Sequence, residues 1–371
     1  WLWVDSEDKQ VQFSNAFGCH IPAKPKLFSE AEKVASGQGA QAAKFVSDHG
    51  FVDDLFWTPA ASQAYSTALS NVVKSGRDAR TEFTVETNPG TVDPAVAEVL
   101  AAAGVNRVAM GAQSFLAREL AVLGRTHRPA DVGAALARLR AAGLENVGLD
   151  LIYGIPGQGL RTWRASLTAA LDLGVRHLSC YALSFEPGTP LQADLAAGRV
   201  AEMDESLQRA CYDAAIDAAA RAGLGHYEVS NFAAAGSRCR HNLTYWRNEP
   251  YLGIGPAAAS FLDGARSTNA ADLEGYLEAW RRGQPPPARQ ERLTGRAAMA
   301  EALMLGLRLT EGVERGEFAA RYGQDPVAAF PGSLRRYEQM GAVEVTPDRV
   351  RIATGAMFVS DAILAEVLAE A

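Results

Sequence analysis

The 371-residue chain lacks the cysteine spacing of a metal site. Its four cysteines, Cys19, Cys180, Cys211 and Cys239, form neither a C-x-x-C nor a C-x-x-x-C-x-x-C arrangement. Four scattered thiols in a large core act as small buried hydrophobes, and they favour a reducing compartment. Positive charge is also short: 36 Lys and Arg against 43 Asp and Glu give a net charge of −7. Clustered phosphate contacts need the opposite balance, so nucleic acid is not an expected partner. No run approaches eighteen consecutive apolar residues, so no membrane span is expected. The opening Trp-Leu-Trp-Val-Asp has no basic region of the kind that starts a signal peptide. It also has no Met, which leaves a processed or truncated form open. An apolar share of 48% with 21% charged residues excludes the disordered and fibrous classes.

What is present is a repeated βα pattern. Short apolar runs at Glu82–Glu86, Arg107–Met110, Val147–Tyr153 and His177–Ala182 are each followed by helical periodicity. The helices are expected over Pro94–Ala103, Phe115–Leu123, Pro129–Ala142 and Leu160–Leu173. Pro94 and Pro129 suit first-turn positions, and Gly104 and Gly143 suit the positions just past the last turn. Ahead of them, Ala16–Pro22 and Phe51–Trp57 read as two further strands, giving six βα units. Residues 1–15 read as a loosely attached leader. Further on, Glu205–Ala222 is an expected helix, His226–Phe232 a single strand, Asn269–Trp280 a helix, and 283–290 a Pro-rich linker. Residues 291–371 read as a helical, winged C-terminal domain, with helices at 294–309, 313–322, 332–339 and 360–369 and a hairpin at 342–353. That leaves 16–282 as the main domain, and side chains at the carboxyl ends of its strands are expected to line a ligand site.

The segments ETNPGT, GAQSF, LGRTH, DLIYGIPGQ, YALSFEPGTP, HYEVSNFA, RCRHNLTYWRN and LMLGLRLTEGV occur in an order and at a spacing that carry a resemblance. From about Glu82 onward the chain resembles the heme-chaperone branch of the oxygen-independent coproporphyrinogen III oxidase family, within the radical S-adenosylmethionine (SAM) superfamily. The resemblance implies an α/β fold: an open (βα)6 three-quarter TIM-like barrel of radical SAM type, plus a small helical, winged-helix-like C-terminal domain. It implies that Glu86, Gln113, Arg125 and Asp150 correspond to residues that hold SAM. It also implies that His241, Asn242, Tyr245 and Trp246, in the H-N-x-x-Y-W motif, correspond to residues associated with heme. An imidazole is a natural heme ligand, and Tyr and Trp offer flat apolar surface to a porphyrin.

The first eighty residues match this family poorly. The three positions of the cluster-binding cysteines fall on Lys24, Phe28 and Ala31, none of which can replace a thiolate. Three glycines that would hold the amino-acid end of SAM are absent, because Thr58-Pro59 follow Trp57 directly. Ala259 stands where the family usually carries His. A 4Fe-4S cluster and reductive cleavage of SAM are therefore not expected, and no catalytic residue is assigned.

The polar strand-end residues either hold an adenosyl ligand or form an ordinary hydrogen-bonded network. His241 is either a heme contact or a satisfied structural histidine. His127 either caps a local turn or lines the barrel mouth, and the segment from Glu186 to Pro190 reads as a turn. The leading expectation is a heme-chaperone-like protein that binds heme or a related tetrapyrrole, in the cytoplasm or an organellar matrix, with a recipient heme protein or assembly complex as partner. Two others stand beside it: a pseudoenzyme kept as a structural subunit, with an apolar patch around Leu27 and Phe28, and a genuine radical SAM enzyme whose N-terminal sequence is altered.

Overall fold

The chain enters its sheet through three short strands, β1 (Leu2–Asp5), β2 (Gln10–Phe13) and β3 (Cys19–Pro22), each antiparallel to the next. The structure, a computed structural model, describes residues 2–5, 10–13, 19–22 and 82–371 apart from 254, 283 and 286, with side chains from 82 onward except those at 280 and 281. Two expectations change here. The 1–15 leader contains a hairpin, consistent with the polar–apolar alternation of Gln10-Val11-Gln12-Phe13. The expected first strand at 16–22 is shorter and pairs antiparallel with the next strand, Cys19 opposite Phe83 and His20 opposite Glu82. An antiparallel neighbour requires no crossover helix. The expected strand at 51–57 lies outside the described residues.

The centre of the sheet is four parallel strands in sequence order: β4 (Glu82–Thr87), β5 (Arg107–Gln113), β6 (Val147–Tyr153) and β7 (His177–Ala182). Beyond β7 come two antiparallel strands, β8 (Gly225–Glu228) and β9 (Asn231–Ala233), placed in the order β7-β9-β8. The nine-stranded sheet is open, with β1 and β8 as its edges. The single strand expected at 226–232 is thus a hairpin that reverses at Val229-Ser230. Glu228 directs the reversal, since its carboxylate accepts from Ser230 N at 3.1 Å and is also bonded by the Asn231 amide.

Successive side chains on a strand point to opposite faces. One face of β4–β7 carries Phe83, Val85, Val108, Met110, Leu149, Leu151, Leu178 and Cys180, all buried in the main hydrophobic cluster with the helices. The other face carries Thr84, Glu86, Arg107, Ala109, Asp150, His177 and Ser179, which look into the sheet's concavity. The helices between strands lie close to expectation: Pro94–Ala103, Ala117–Val122, Pro129–Ala141 and Leu160–Asp172. The Asp93 carboxylate caps the first by accepting from Val96 N at 2.7 Å, and Gly104 ends it at φ 86°. A cap of this kind contributes about 1 kcal/mol. Trp163, fully buried, anchors Leu160–Asp172 to helix Glu205–Arg221 by donating from Nε1 to Cys211 O at 2.7 Å.

A second, three-stranded sheet orders as β10 (Ala259–Leu262), β11 (Ala265–Asn269) and β12 (Ala288–Arg292). The helix expected from 269 begins at Leu273, because residues 265–269 are taken up as a strand. Likewise the segment expected to be linker through 290 enters β12 at Ala288, paired with Asn269. The C-terminal part holds helices Gly295–Gly306, Arg315–Tyr322, Pro326–Ala329, Pro331–Gln339 and Ser360–Ala369 around a small sheet of β13 (Val313–Glu314), β14 (Val343–Val345) and β15 (Arg349–Ile352). Its core residues Leu303, Phe330, Leu334 and Val350 belong to the same buried cluster as the residues behind the parallel sheet. No helix among the described residues is long and apolar enough to cross a membrane.

Candidate functional site

Parallel register stacks the inward-facing residues in rows. Glu86, Ala109, Gly148 and His177 are neighbours across β4–β7, and Gly111, Asp150 and Ser179 form the row above. Ala109 and Gly148 are small, so space remains between Glu86 and His177. A Cβ on Gly148 would sit 3.1 Å from the His177 ring, tighter than ordinary contact. The result is a small cavity of about 50 Å³, walled by Glu86, Ala109, Asp150, His177 and Ser179 of these rows together with Arg107, Tyr181, Cys239, His241 and Asn242.

Charge in this cavity is unevenly matched. Arg107 is 3% exposed, and its Nε has no hydrogen-bond partner. Burial opposes its charge, yet its pKa is raised above the ordinary arginine value, with the Glu82 and Asp150 carboxyls among the groups that favour the cation, so the guanidinium stays protonated. Burial raises Asp150 above the usual carboxylate range, against a hydrogen bond from Ser179 and the charge of Arg107. Glu86 is raised by burial among the strand ends and by Asp150. His177 shares a 2.8 Å bond with Tyr227 Oη, and burial followed by Arg107 holds its pKa well below the ordinary histidine value. His241 is held down to about 3 by burial and then by Arg107, so its imidazole is neutral at pH 7.

Next to this cavity lies a larger chamber of about 570 Å³, and Tyr181 and Asn242 belong to the walls of both. Helix Arg240–Trp246 supplies Asn242, Tyr245 and Trp246, residues that fall one turn apart along one side. The β8–β9 hairpin supplies Glu228 and Asn231; Tyr251, Arg266, Leu305 and Arg308 complete the wall. Trp246 Nε1 and Asn231 Oδ1 are buried without hydrogen-bond partners. Two chamber arginines are engaged: Arg266 bonds Glu301 at 2.6 Å, and Arg308 bonds Asp361 at 2.8 Å while lying 5.5 Å from the Trp246 ring. Gly253 allows Tyr251 to approach β10, since a Cβ there would meet the Ala259 carbonyl oxygen at 2.1 Å.

The structure divides the residues expected to act together. Glu86 and Asp150 line the small cavity. Gln113 lies in a β-bulge at φ 62° with its amide folded over Gly111, beside Asn88, and Arg125 donates to Asn88 Oδ1 at 3.2 Å. Two of the four thus line the cavity, and the other two gather at Asn88. Of the expected heme residues, Asn242, Tyr245 and Trp246 line the chamber, whereas His241 lines the small cavity, its ring edge-on to Tyr245 at 4.7 Å. His127 is buried and bonds Ala112 O at 3.1 Å, a brace for β5. At the Glu186–Pro190 turn, Thr189 caps helix Pro190–Ala196.

A cluster needs thiolates. Of the cysteines with described side chains, burial pushes Cys211 up to about 11, Cys239 up to about 12 and Cys180 well above the ordinary range, so all three are protonated thiols at neutral pH. Among the described residues no group of three His, Cys, Asp or Glu side chains could hold a metal. These residues do not fit a cluster. Lys24, Phe28, Ala31 and Thr58-Pro59 lie outside the described residues.

Sequence reasoning did not single out Arg107, His177, Tyr181 or Arg308. The alternation of RVAMGAQ and of HLSCYA carried a signal for the first three, because it sends one polar residue in two to the inner face.

The family model of the Radical SAM superfamily matches residues 33–170, across the first parallel strands, and that of the HemN C-terminal domain matches 293–359. Coproporphyrinogen III oxidase (HemN) from Escherichia coli shares the fold with a TM-score of 0.68 at 18% identity, over 84% of this chain and 75% of that one. Heme chaperone HemW of Bacillus subtilis is 34% identical over 275 residues, 74% of this chain and 72% of the relative. Heme chaperone HemW of Synechocystis is 40% identical over 236 residues, 62% of this chain and 57% of the relative. The chain belongs to the HemW heme-chaperone family of radical SAM proteins.

Proposed function

We propose that this protein binds heme or a closely related tetrapyrrole in the chamber beside the parallel sheet and passes it to a recipient heme protein. The observation that carries the reading is the wall of the chamber. Three motif residues, Asn242, Tyr245 and Trp246, share it with Tyr181 and Tyr251. Aromatic rings supply the broad apolar contact that a planar macrocycle needs, and the amides and the free Trp246 N–H supply polar anchors at its rim. The volume of about 570 Å³ lies within the roughly 300–1,000 Å³ of small-molecule sites.

In this reading Glu86, Gln113, Arg125 and Asp150 retain the polarity of a SAM pocket without supporting its reductive cleavage. Lys24, Phe28 and Ala31 supply no thiolate, and the described cysteines are buried and protonated. The protein then acts as a carrier. Its free buried thiols suit a reducing compartment, cytoplasmic or organellar.

The test is a heme titration followed by Soret absorbance, comparing wild type with the Tyr245→Ala/Trp246→Ala double variant. Saturable one-to-one binding by wild type is expected. The double variant should bind about tenfold or more weakly, since each aromatic contact contributes about 0.5–1.5 kcal/mol beyond its buried area. Equal affinities would reject the chamber, and no saturable binding by wild type would favour the structural pseudoenzyme.

A further inference from the structure

Three arginines stand on the walls of the two adjoining cavities, and they are not equivalent. Arg266 has Glu301 and Arg308 has Asp361. Arg107 has neither: no ion pair or side-chain hydrogen bond among the described residues includes it, and its Nε is a buried donor without an acceptor. A buried guanidinium N–H without an acceptor is costly, because desolvation removes water and no hydrogen bond replaces it there. Proteins keep few such groups, and those they keep call for an explanation.

The surroundings say what Arg107 can take. Glu82 is too committed to serve: its carboxylate accepts from Thr84 Oγ1 at 3.2 Å, from Arg240 N at 3.2 Å and from the Cys239 thiol. Asp150 is bonded by Ser179, and neither it nor Glu86 makes a hydrogen bond or ion pair with Arg107 among the described residues. Arg107 shares with the small side chain of Ala109 a cavity of about 50 Å³, which suits one carboxylate group and is far too small for a macrocycle. This cavity shares Tyr181 and Asn242 with the aromatic chamber, so a side arm of a ligand held there enters through that common wall.

Resting on the reading of the chamber as a tetrapyrrole site, we infer that Arg107 is the receptor for a carboxylate side chain of that tetrapyrrole. The macrocycle lies against Tyr245 and Trp246, and one of its carboxylates passes Tyr181 and Asn242 to pair with the guanidinium. Arg107 would then distinguish tetrapyrroles with acidic side chains from those without. His177 and His241 are neutral there, so neither offers a competing cation.

The experiment compares iron protoporphyrin with its dimethyl ester, which keeps the ring and iron and lacks both carboxylates, on wild type, Arg107→Gln and Arg107→Lys. Wild type is expected to prefer the free acid by about tenfold or more, the scale of a hydrogen-bonded charge contact. Arg107→Gln should bind acid and ester alike, at the wild-type ester affinity, and Arg107→Lys should recover part of the preference. Thermal melts of each variant by circular dichroism establish that the fold is intact. Acetate alone supplies the other source of the same chemistry, and it should compete with the acid and not with the ester. Retained preference in a folded Arg107→Gln overturns the assignment, as does acetate that stabilises wild type without competing with porphyrin. Absence of binding of either porphyrin to wild type is a different failure, that of the chamber itself.

Discussion

His241 shows how far one residue's surroundings set its chemistry. In an ordinary setting its imidazole would titrate near 6.5, but burial and the Arg107 charge hold it down to about 3. A lowered histidine binds fewer protons in the folded state than in the unfolded one. Its contribution to stability is complete above about pH 6.5 and is lost as pH falls through the window toward 3. Asp150 and Glu228, both raised by burial, act in the opposite sense, losing stability as pH rises above the ordinary carboxylate values. Only the histidine part should disappear in His241→Gln. The expected result is that the fall in Tm from pH 7 to pH 5 is smaller in His241→Gln than in wild type; an equal fall would mean that this imidazole is not held neutral. The H-N-x-x-Y-W spacing made His241 visible in the sequence. Its direction was not visible, because residues 241 and 245 sit one helical turn apart and yet line different cavities. Arg107 was missed for a related reason. An arginine opening an apolar strand reads as solvated, and only the register with Glu86 and His177 shows it enclosed.

At the scale of elements, local chemistry was read well where it alone decides. Pro94 after Asp93, Pro129 after Arg128, and glycines at 104 and 143 with φ of 86° put four helix ends within a residue or so of expectation. The alternating runs of β4–β7 were equally plain. Tertiary partners decided the rest. Residues 226–232 have strand composition throughout, and the reversal within them depends on Glu228 being buried where it can collect Ser230 and Asn231. Residues 288–292 are exposed and highly polar, with no strand pattern of their own, and become β12 because β11 offers a paired edge. The path from Tyr251 to β10 is the element on which the chamber wall most depends. In Gly253→Ala the new methyl meets a backbone carbonyl that cannot rotate aside. Overpacking of this kind costs about 1–3 kcal/mol, and the variant should lose both Tm and heme affinity, the latter because Tyr251 shifts. An unchanged melting curve would show that the wall is looser than this.

For the whole molecule, the decisive feature is that one hydrophobic cluster runs from Phe83 and Leu149 behind the parallel sheet to Leu303 and Phe330 in the C-terminal helices. The chamber lies along this join, with Asn231 and Tyr181 contributed from the sheet side and Leu305 and Arg308 from the C-terminal side. A short main-chain bond, Val229 N to Arg308 O at 3.1 Å, fixes the two sides to each other. The family motifs spread along the sequence pointed to a heme-chaperone-like chain, but they could not show that segments so distant in sequence would close one pocket. That closure, which joins segments as far apart in sequence as Tyr181 and Arg308, depends on the packing of the C-terminal helices against the sheet. The most direct test is an iron-edge anomalous difference map from crystals of the protein with heme. The account predicts one strong iron peak inside the chamber, between Tyr245, Trp246 and Tyr251, with porphyrin density reaching past Tyr181 toward Arg107. An iron peak outside that chamber, with heme fully bound in the same crystals, would contradict it.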